Sequence, residues 1–176
     1  MLSPEQIKVS LFKTPDDFKD FKCEKQDYCD FVQRPEEAQK YLNENLGVTY
    51  VFRHETEIAG FVTLAMASLR KKDLPEDRKK QKPFRDVPSL LLGHMARDSK
   101  YKGQGVGGIM MDWVVATAHR IRMEVGCRFV IVDAEEDVVE RYRKYGFELI
   151  PPDTGNRTFL MYFDLGFRES LNHDRP

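Results

Sequence analysis

The sequence is poor in the residues that build metal centres and disulfide frameworks. It carries three cysteines, Cys23, Cys29 and Cys127, an odd number without a CxxC spacing, so reduced thiols are the simplest reading. Four histidines, His54, His94, His119 and His173, lie far apart with no HxxxH pair, and no metal is expected. Long apolar runs are missing too: the longest stretch without a charge, Ile58 to Leu69, is 12 residues. A membrane-spanning helix needs roughly 18, so none is expected. The amino-terminal MLSPEQIKVSLFK has no basic flank ahead of a long apolar stretch, which argues against a secretory signal and for a cytoplasmic protein. A net charge of −1 excludes a surface that coats nucleic acid all round, though not a local basic patch. No internal repeat or low-complexity tract is visible.

What is present is a globular balance, 41% hydrophobic and 32% charged over 176 residues, which predicts a single domain spanning 1–176. Strands and helices alternate. An extended piece near Lys8 to Lys13 precedes a short helix over about Asp16 to Phe21, capped by Thr14 or Asp16. Pro35 at a first turn then predicts a second helix reaching about Asn45. Val48 to Arg53 and Ile58 to Leu69 read as a hairpin, and Leu90 to Ala96 as an apolar strand. Ile109, Met110, Trp113, Val114, Thr117 and Ile121 mark a long helix over about Val106 to Val125. Phe129 to Asp133, Glu135 to Tyr145, Phe147 to Ile150 and Thr158 to Asp164 follow as strand, helix, strand and strand, with a turn at Pro151 to Asn156 and a frayed tail after 166.

Two stretches carry chemistry. Arg70 to Asp86 holds eight Lys or Arg against four Asp or Glu, a net +4, while the remainder of the chain carries −5. It reads as a solvated loop, or as a contact for an anionic partner or the adenosine end of a cofactor. The second is Lys102-Gly103-Gln104-Gly105-Val106-Gly107, between a strand and a helix. Alternate glycines let the backbone approach a bulky ligand, and the amides of the helix start point at an anion, for which a pyrophosphate is the natural guest. Gly103, Gly105 and Gly108 also match GxGxxG, with Asp133 closing the next strand. A dinucleotide fold fits less well: Arg97 to Lys102 intervene after the strand, and only 43 residues follow Asp133, too few to complete a six-stranded doubly wound sheet. A glycine turn without a ligand would lose helix stability for no packing gain.

These residues resemble a family. Leu92 to Gly107, with Lys102 to Gly107 as its centre, is similar to the (Q/R)xxGx(G/A) coenzyme A signature of the GCN5-related N-acetyltransferases. Val132-Asp133-Ala134 and the later Glu140 to Phe147 resemble that family's closing strand, helix and Y-x-x-x-G-F element. The resemblance covers a core of about 9–164 and implies an α/β (α+β) domain with a mixed, mostly antiparallel sheet flanked by helices, binding acetyl-CoA. It assigns the cofactor to Met95, Ala96, Arg97, Lys102, Gly103, Gln104, Gly105, Val106 and Gly107. Two positions depart from the pattern. Lys102 stands where Gln or Arg is usual, keeping a charge but losing planar donor geometry. Arg97 stands where a small apolar residue is usual, so its side chain needs a place to go.

The implied reaction is direct N-acetylation without metal or covalent intermediate, so Cys127 is no nucleophile. The departing coenzyme A thiol has a pKa near that of cysteine, about 8.5, so a nearby acid helps it leave. By resemblance that acid is Tyr142, four residues before Gly146-Phe147, with Tyr145 the neighbouring alternative. His94, Glu135 and Glu136 are candidate bases, and Asp133 is either a cofactor contact or a cap. An amine arriving neutral needs little help: an ordinary α-amino group has a pKa of about 7.7.

Phe21-Lys22-Cys23, Asp30-Phe31, Leu91 to Ala96, Val132 to Glu135 and Phe147 to Pro151 are further similar to the acetyltransferase toxins of bacterial toxin–antitoxin pairs, which acetylate aminoacyl-tRNA. Three functions stay open on the sequence: an N-acetyltransferase with an unidentified primary amine as acceptor, an aminoacyl-tRNA acetyltransferase holding phosphates on loop 70–85, and a non-catalytic acyl-CoA sensor. The resemblance also implies a homodimer.

Overall fold

In the computed structural model, which describes residues 1–34, 36–79, 85–150 and 158–166, the chain builds a sheet of seven strands among the described residues. In chain order the first half comprises β1 (Ile7–Leu11), α1 (Gln26–Gln33), α2 (Ala38–Asn43), β2 (Val48–His54), β3 (Glu57–Arg70) and α3 (Glu76–Lys79). The second half comprises β4 (Asp86–Arg97), α4 (Val106–Glu124), β5 (Phe129–Glu135), α5 (Glu136–Lys144), β6 (Glu148–Leu149) and β7 (Thr158–Asp164). The strand order is β1-β2-β3-β4-β5-β7-β6, antiparallel throughout except for the parallel pair β4–β5. The mixed, mostly antiparallel sheet expected from the sequence is therefore present.

That one parallel pair shapes the molecule. β4 and β5 pair only over Ser89–Leu91 and Phe129–Ile131, yet β4 runs on to Arg97 and β5 to Glu135, so the two strands diverge and leave a cleft. The cause lies in β4, where the register against β3 shifts between Leu92 and His94 and Gly93 becomes the extra residue of a bulge. Such an insertion bends the strand and increases its twist.

Alternation along the strands gives each sheet face its own core. On one face Phe52, Val62, Leu64 and Val130 pack against Val106, Met110, Val114 and Ala118 of α4. On the other, Val51, Phe61 and Ala96 meet Phe12, Phe18, Phe21, Phe31 and Val32 around α1. Farther along, Leu69, Val87, Phe129 and Tyr162 enclose Leu74 and Ile150. Gly60 is required by the first core: a Cβ there would stand 2.6 Å from Met110 Sδ and 2.8 Å from the Ala96 carbonyl oxygen.

Several sequence expectations are corrected. The helix expected over Asp16 to Phe21 is a 3-10 turn, Pro15–Phe18, whose start is held by the Asp16 N–H donating to Thr14 Oγ1. α1 escaped the sequence reading because two turns are too short to display a period. α2 starts at Ala38, and Pro35 lies outside the described residues. Within 70–86 the structure has a 3-10 turn at Lys71–Asp73 and the short α3. The turn at 151–156 and the tail after 166 lie outside the described residues. Finally, Cys23 and Cys29 are joined as a disulfide rather than standing as separate thiols, because the chain folds back into α1 and sets their Cα atoms 6.2 Å apart.

Candidate active site

Of the residues expected from the sequence, Met95, Ala96 and Arg97 line the cleft between β4 and β5. β4 is hydrogen-bonded to β3 along one edge, while past Leu91 its other edge has no partner strand among the described residues and faces the cleft. Met95 is half-buried against the α4 core and Ala96 is buried against the α1 core. Arg97 has found a place. Its guanidinium donates to the Asp98 carbonyl oxygen (3.0 Å) and to Glu24 Oε1 (3.1 Å).

Beyond β4 the chain turns through a 3-10 segment, Ser99–Tyr101, into the glycine stretch. Asp98 organises this turn and was not singled out from the sequence. Only 3% exposed, it accepts from the Lys100 N–H (2.8 Å) and, across the fold, from the Lys22 N–H (2.9 Å). Gln104 Nε2 donates back to the Lys100 carbonyl (3.0 Å), so Gln104 braces the turn rather than facing outward. Gly103 and Gly105 adopt φ of 79° and 83°, a region that side chains rarely enter. At Gly103 and Gly107 an added Cβ would meet nothing within 4 Å, so open space lies beside both. Val106 is fully buried and anchors the start of α4, where the first N–H groups have no preceding carbonyl in the helix. Lys102 is largely exposed and pairs with Glu24 Oε1 at 3.2 Å. The resulting cradle is concave, backbone-lined and positively polarised.

On the opposite side, α5 carries Tyr142. It packs edge-to-face on Phe147 (5.4 Å between centroids), and burial, then the nearby Tyr28 phenol, push its hydroxyl well above the usual tyrosine range. It therefore holds its proton at any neutral pH. Tyr145 is turned toward α4, where its hydroxyl lies 3.6 Å from the position a Cβ of Gly108 would take. The remaining candidates are not brought together. His94 is stacked on Phe31 at 3.8 Å, with Tyr28 edge-on at 5.6 Å, and its buried Nδ1 has no hydrogen-bond partner among the described residues. Glu135 is held by Lys25 at 2.7 Å, while Glu136 and Asp133 are exposed.

Between these walls lies a cavity of about 160 Å³ lined by Cys23, Tyr28, Met95, Ala96, Val138 and Arg141, among others. Tyr142 is not part of that lining. The residues that sequence reasoning missed are those closing the cavity: Glu24 and Lys25, which bridge its two lips, and Tyr28. Their partners stand more than sixty positions away in sequence, so no local pattern marks them. A second opening, on the far side of the molecule, is framed by Arg70, Lys71, Lys72, Lys79 and Arg85. Among the described residues no three His, Cys, Asp or Glu side chains could hold a metal, and no helix is long and apolar enough to cross a membrane.

Comparison with known proteins fits this geometry. Residues 15–147, well over half the chain, match the family model described as Acetyltransferase (GNAT) family. The chain belongs to the GNAT acetyltransferases. Among curated GNAT relatives, it is 27% identical over 140 residues to the "Probable toxin TacT" of Sinorhizobium fredii, covering 70% of this chain and 77% of that protein. It is also 27% identical over 113 residues to the tRNA-acetylating toxin of Mycobacterium tuberculosis, covering 64% and 68% respectively. Among solved GNAT structures, AtaT complexed with acetyl-methionyl-tRNAfMet superposes with a TM-score of 0.78 at 20% identity, covering 90% of this chain and 94% of that one. AtaTR bound with AcCoA gives 0.72 at 22%, covering 92% and 95%. As a GNAT protein the chain is an N-acetyltransferase.

Proposed function

We propose that this enzyme transfers the acetyl group of acetyl-CoA to the α-amino group of an aminoacyl-tRNA. The cradle at Lys102 to Gly107 supports the donor: positive φ at Gly103 and Gly105, open space beside Gly103 and Gly107, and a helix start suit a pyrophosphate. The unpaired edge of β4 at Met95 to Arg97 would hold the pantetheine arm by its backbone. The observation that carries the acceptor is the placement of the basic opening at the far end of β4. From Asp86 to Met95 is roughly 30 Å of extended strand. A small amine occupying the cleft has no use for cations at that distance. An RNA whose charged end enters the cleft lays phosphates across them. The relatives named as a tRNA-acetylating toxin and as AtaT complexed with acetyl-methionyl-tRNAfMet support the same acceptor.

In this reaction the acceptor nitrogen attacks the acetyl carbonyl, an amide bond forms and the thioester C–S bond breaks. Tyr142 gives its proton to the departing thiolate sulfur and recovers one from the newly acetylated nitrogen, so coenzyme A leaves as the thiol and the buried phenol is restored to the neutral form that its surroundings favour. The α-amino group of an aminoacyl ester, for which the ordinary α-amino value of about 7.7 is the reference, is substantially neutral at cellular pH and reacts without a dedicated base.

The test is calorimetric titration with acetyl-CoA, beside a Gly105→Glu variant, followed by transfer of labelled acetyl to charged tRNA, uncharged tRNA, peptides and polyamines. Saturable binding lost in the variant, with label in charged tRNA alone, is the expected result. Label in peptides or polyamines instead would replace the acceptor, and binding without any transfer would make the protein an acyl-CoA sensor.

A further inference from the structure

Residues 22–25 form a strap across the mouth of the cleft. On the β4 side the Lys22 N–H donates to Asp98, and the Lys22 carbonyl accepts from the Ser99 N–H (2.7 Å). Glu24 Oε1 then sits 3.1 Å from Arg97 and 3.2 Å from Lys102, and the Lys102 ammonium holds its carboxyl below the usual carboxylate range. On the α5 side Lys25 pairs with Glu135 at 2.7 Å and Asp137 at 2.9 Å. Glu24 and Lys25 lie inside the short loop closed by Cys23 and Cys29. A covalent link thus spans the two side chains that grip opposite lips of the site.

The two sulfurs differ in access. Cys23 is partly exposed and lines the cavity, whereas Cys29, on the buried face of α1, is 3% exposed. Cys127, also buried and with its thiol pushed up by burial, belongs to the α4 core and takes no part. Cys23 Sγ also lies 3.0 Å from the Lys25 carbonyl oxygen, an acceptor within reach of a thiol at that position.

We propose that Cys23 and Cys29 are a reversible dithiol–disulfide site that locks the strap and so sets the coenzyme's access to Lys102 and Arg97. The oxidant is a small-molecule disulfide of the glutathione type. The Cys23 thiolate attacks one of its sulfurs, forming a mixed disulfide and releasing one thiolate. The Cys29 thiolate then attacks Cys23 Sγ, closing the protein disulfide and releasing the second. Two protein thiols lose two protons and two electrons, and one small disulfide becomes two thiols. Closed, the loop pins the Glu24 carboxylate on the cations that a phosphate would use. Open, the strap is held by exposed ion pairs, which are individually weak, and the incoming phosphate displaces Glu24.

Because the gating claim rests on the acetyl-CoA reading, the experiment reads the pair and the coenzyme separately. The full chain is equilibrated in glutathione buffers of stepped ratio, acid-quenched, alkylated after unfolding and weighed, and the acetyl-CoA Kd is measured in the most oxidising and most reducing buffers. Two of the three thiols should become protected together, and the reduced protein should bind acetyl-CoA at least fivefold more tightly. Cys23→Ser should bind like the reduced protein in either buffer, and so should Cys29→Ser if its buried site tolerates the change. Glu24→Gln should give the oxidised form the reduced affinity. Thiols that stay free, or stay closed, across all buffers overturn the redox site. Equal affinity in both states overturns the gating while leaving the coenzyme reading intact. Absence of binding in both overturns the coenzyme reading and the gating with it, while the thiol count still stands for the pair.

Discussion

At the residue scale burial biases two rings toward their neutral forms, Tyr142 on α5 and His94 on β4. On the proposed mechanism Tyr142, held neutral by burial, acts as proton donor to the departing thiolate and not as a base. Replacing it by Phe removes that proton and leaves the ring packed on Phe147. Turnover should fall by about 10²–10⁴ while the acetyl-CoA Kd stays within about twofold, and unchanged turnover would remove Tyr142 from the mechanism. His94 is the second ring. Burial lowers its pKa, so the folded protein favours the neutral imidazole more than the unfolded chain does. Its contribution to stability is then fully present above the unfolded value of about 6.5 and is lost as pH falls below that and through the lower folded value. The urea midpoint of the wild type should drop between pH 7.5 and 5.5, and that of His94→Phe should drop less. Equal drops would mean that other groups carry the acid sensitivity.

At the element scale the decisive contact is α4 against β3. α4 delivers the glycine cradle only because Met110 reaches the sheet at Gly60, where no side chain intervenes. Gly60→Ala places a methyl group inside both the Met110 thioether and the β4 backbone. It should cost roughly 1–3 kcal/mol, read as a lower urea midpoint at unchanged slope. A variant as stable as the wild type would show that α4 can shift without strain. β4 is the companion element: its bulge at Gly93 turns one strand into two functional halves, the first paired with β5 and the second open to a ligand. The mount of the basic opening is equally specific. Arg78 of α3 bonds Asp164 at 3.0 Å, and Asp164 also holds Arg128 at 2.7 Å, tying the 70–79 segment to the edge of the sheet.

At the scale of the whole molecule, charge is separated from chemistry. The overall charge is −1, yet residues 70–86 carry +4, and the described ones among them, 70–79 and 85–86, stand at the opposite end of β4 from the cradle. On the proposed acceptor this division predicts distinct effects. Changing Lys71, Lys72 and Lys79 together to Gln should weaken tRNA binding and flatten the slope of log K against log salt by about two, leaving acetyl-CoA affinity as it was. If the slope in filter binding is unaltered, the RNA lies elsewhere.

Much of this was legible in the chain itself. The alternation of Val51 with Phe52 and of Phe61 with Val62, the stripe Met110-Val114-Ala118, and the punctuation at Gly126 and Gly146 follow from local sterics and hydrophobic period, which act over a few residues. The same is true of the cradle, because glycine's freedom at 103 and 105 is a property of the residue. Less visible were α1, too short to show a period, and the bulge at Gly93, which exists only relative to β3. The strap was not visible at all. Glu24 meets Lys102 and Lys25 meets Asp137 because the sheet brings distant segments together, and an ion pair between exposed side chains leaves no mark on local propensity. Sequence alone thus determined the order of the strands and of α4 and α5, the backbone turn that can face a phosphate, and the charge of the 70–86 segment. Tertiary structure decided where β4 and β5 part, that His94 is enclosed by rings rather than presented to a substrate, and that Cys23 and Cys29 meet, since each depends on contacts that no single segment can specify.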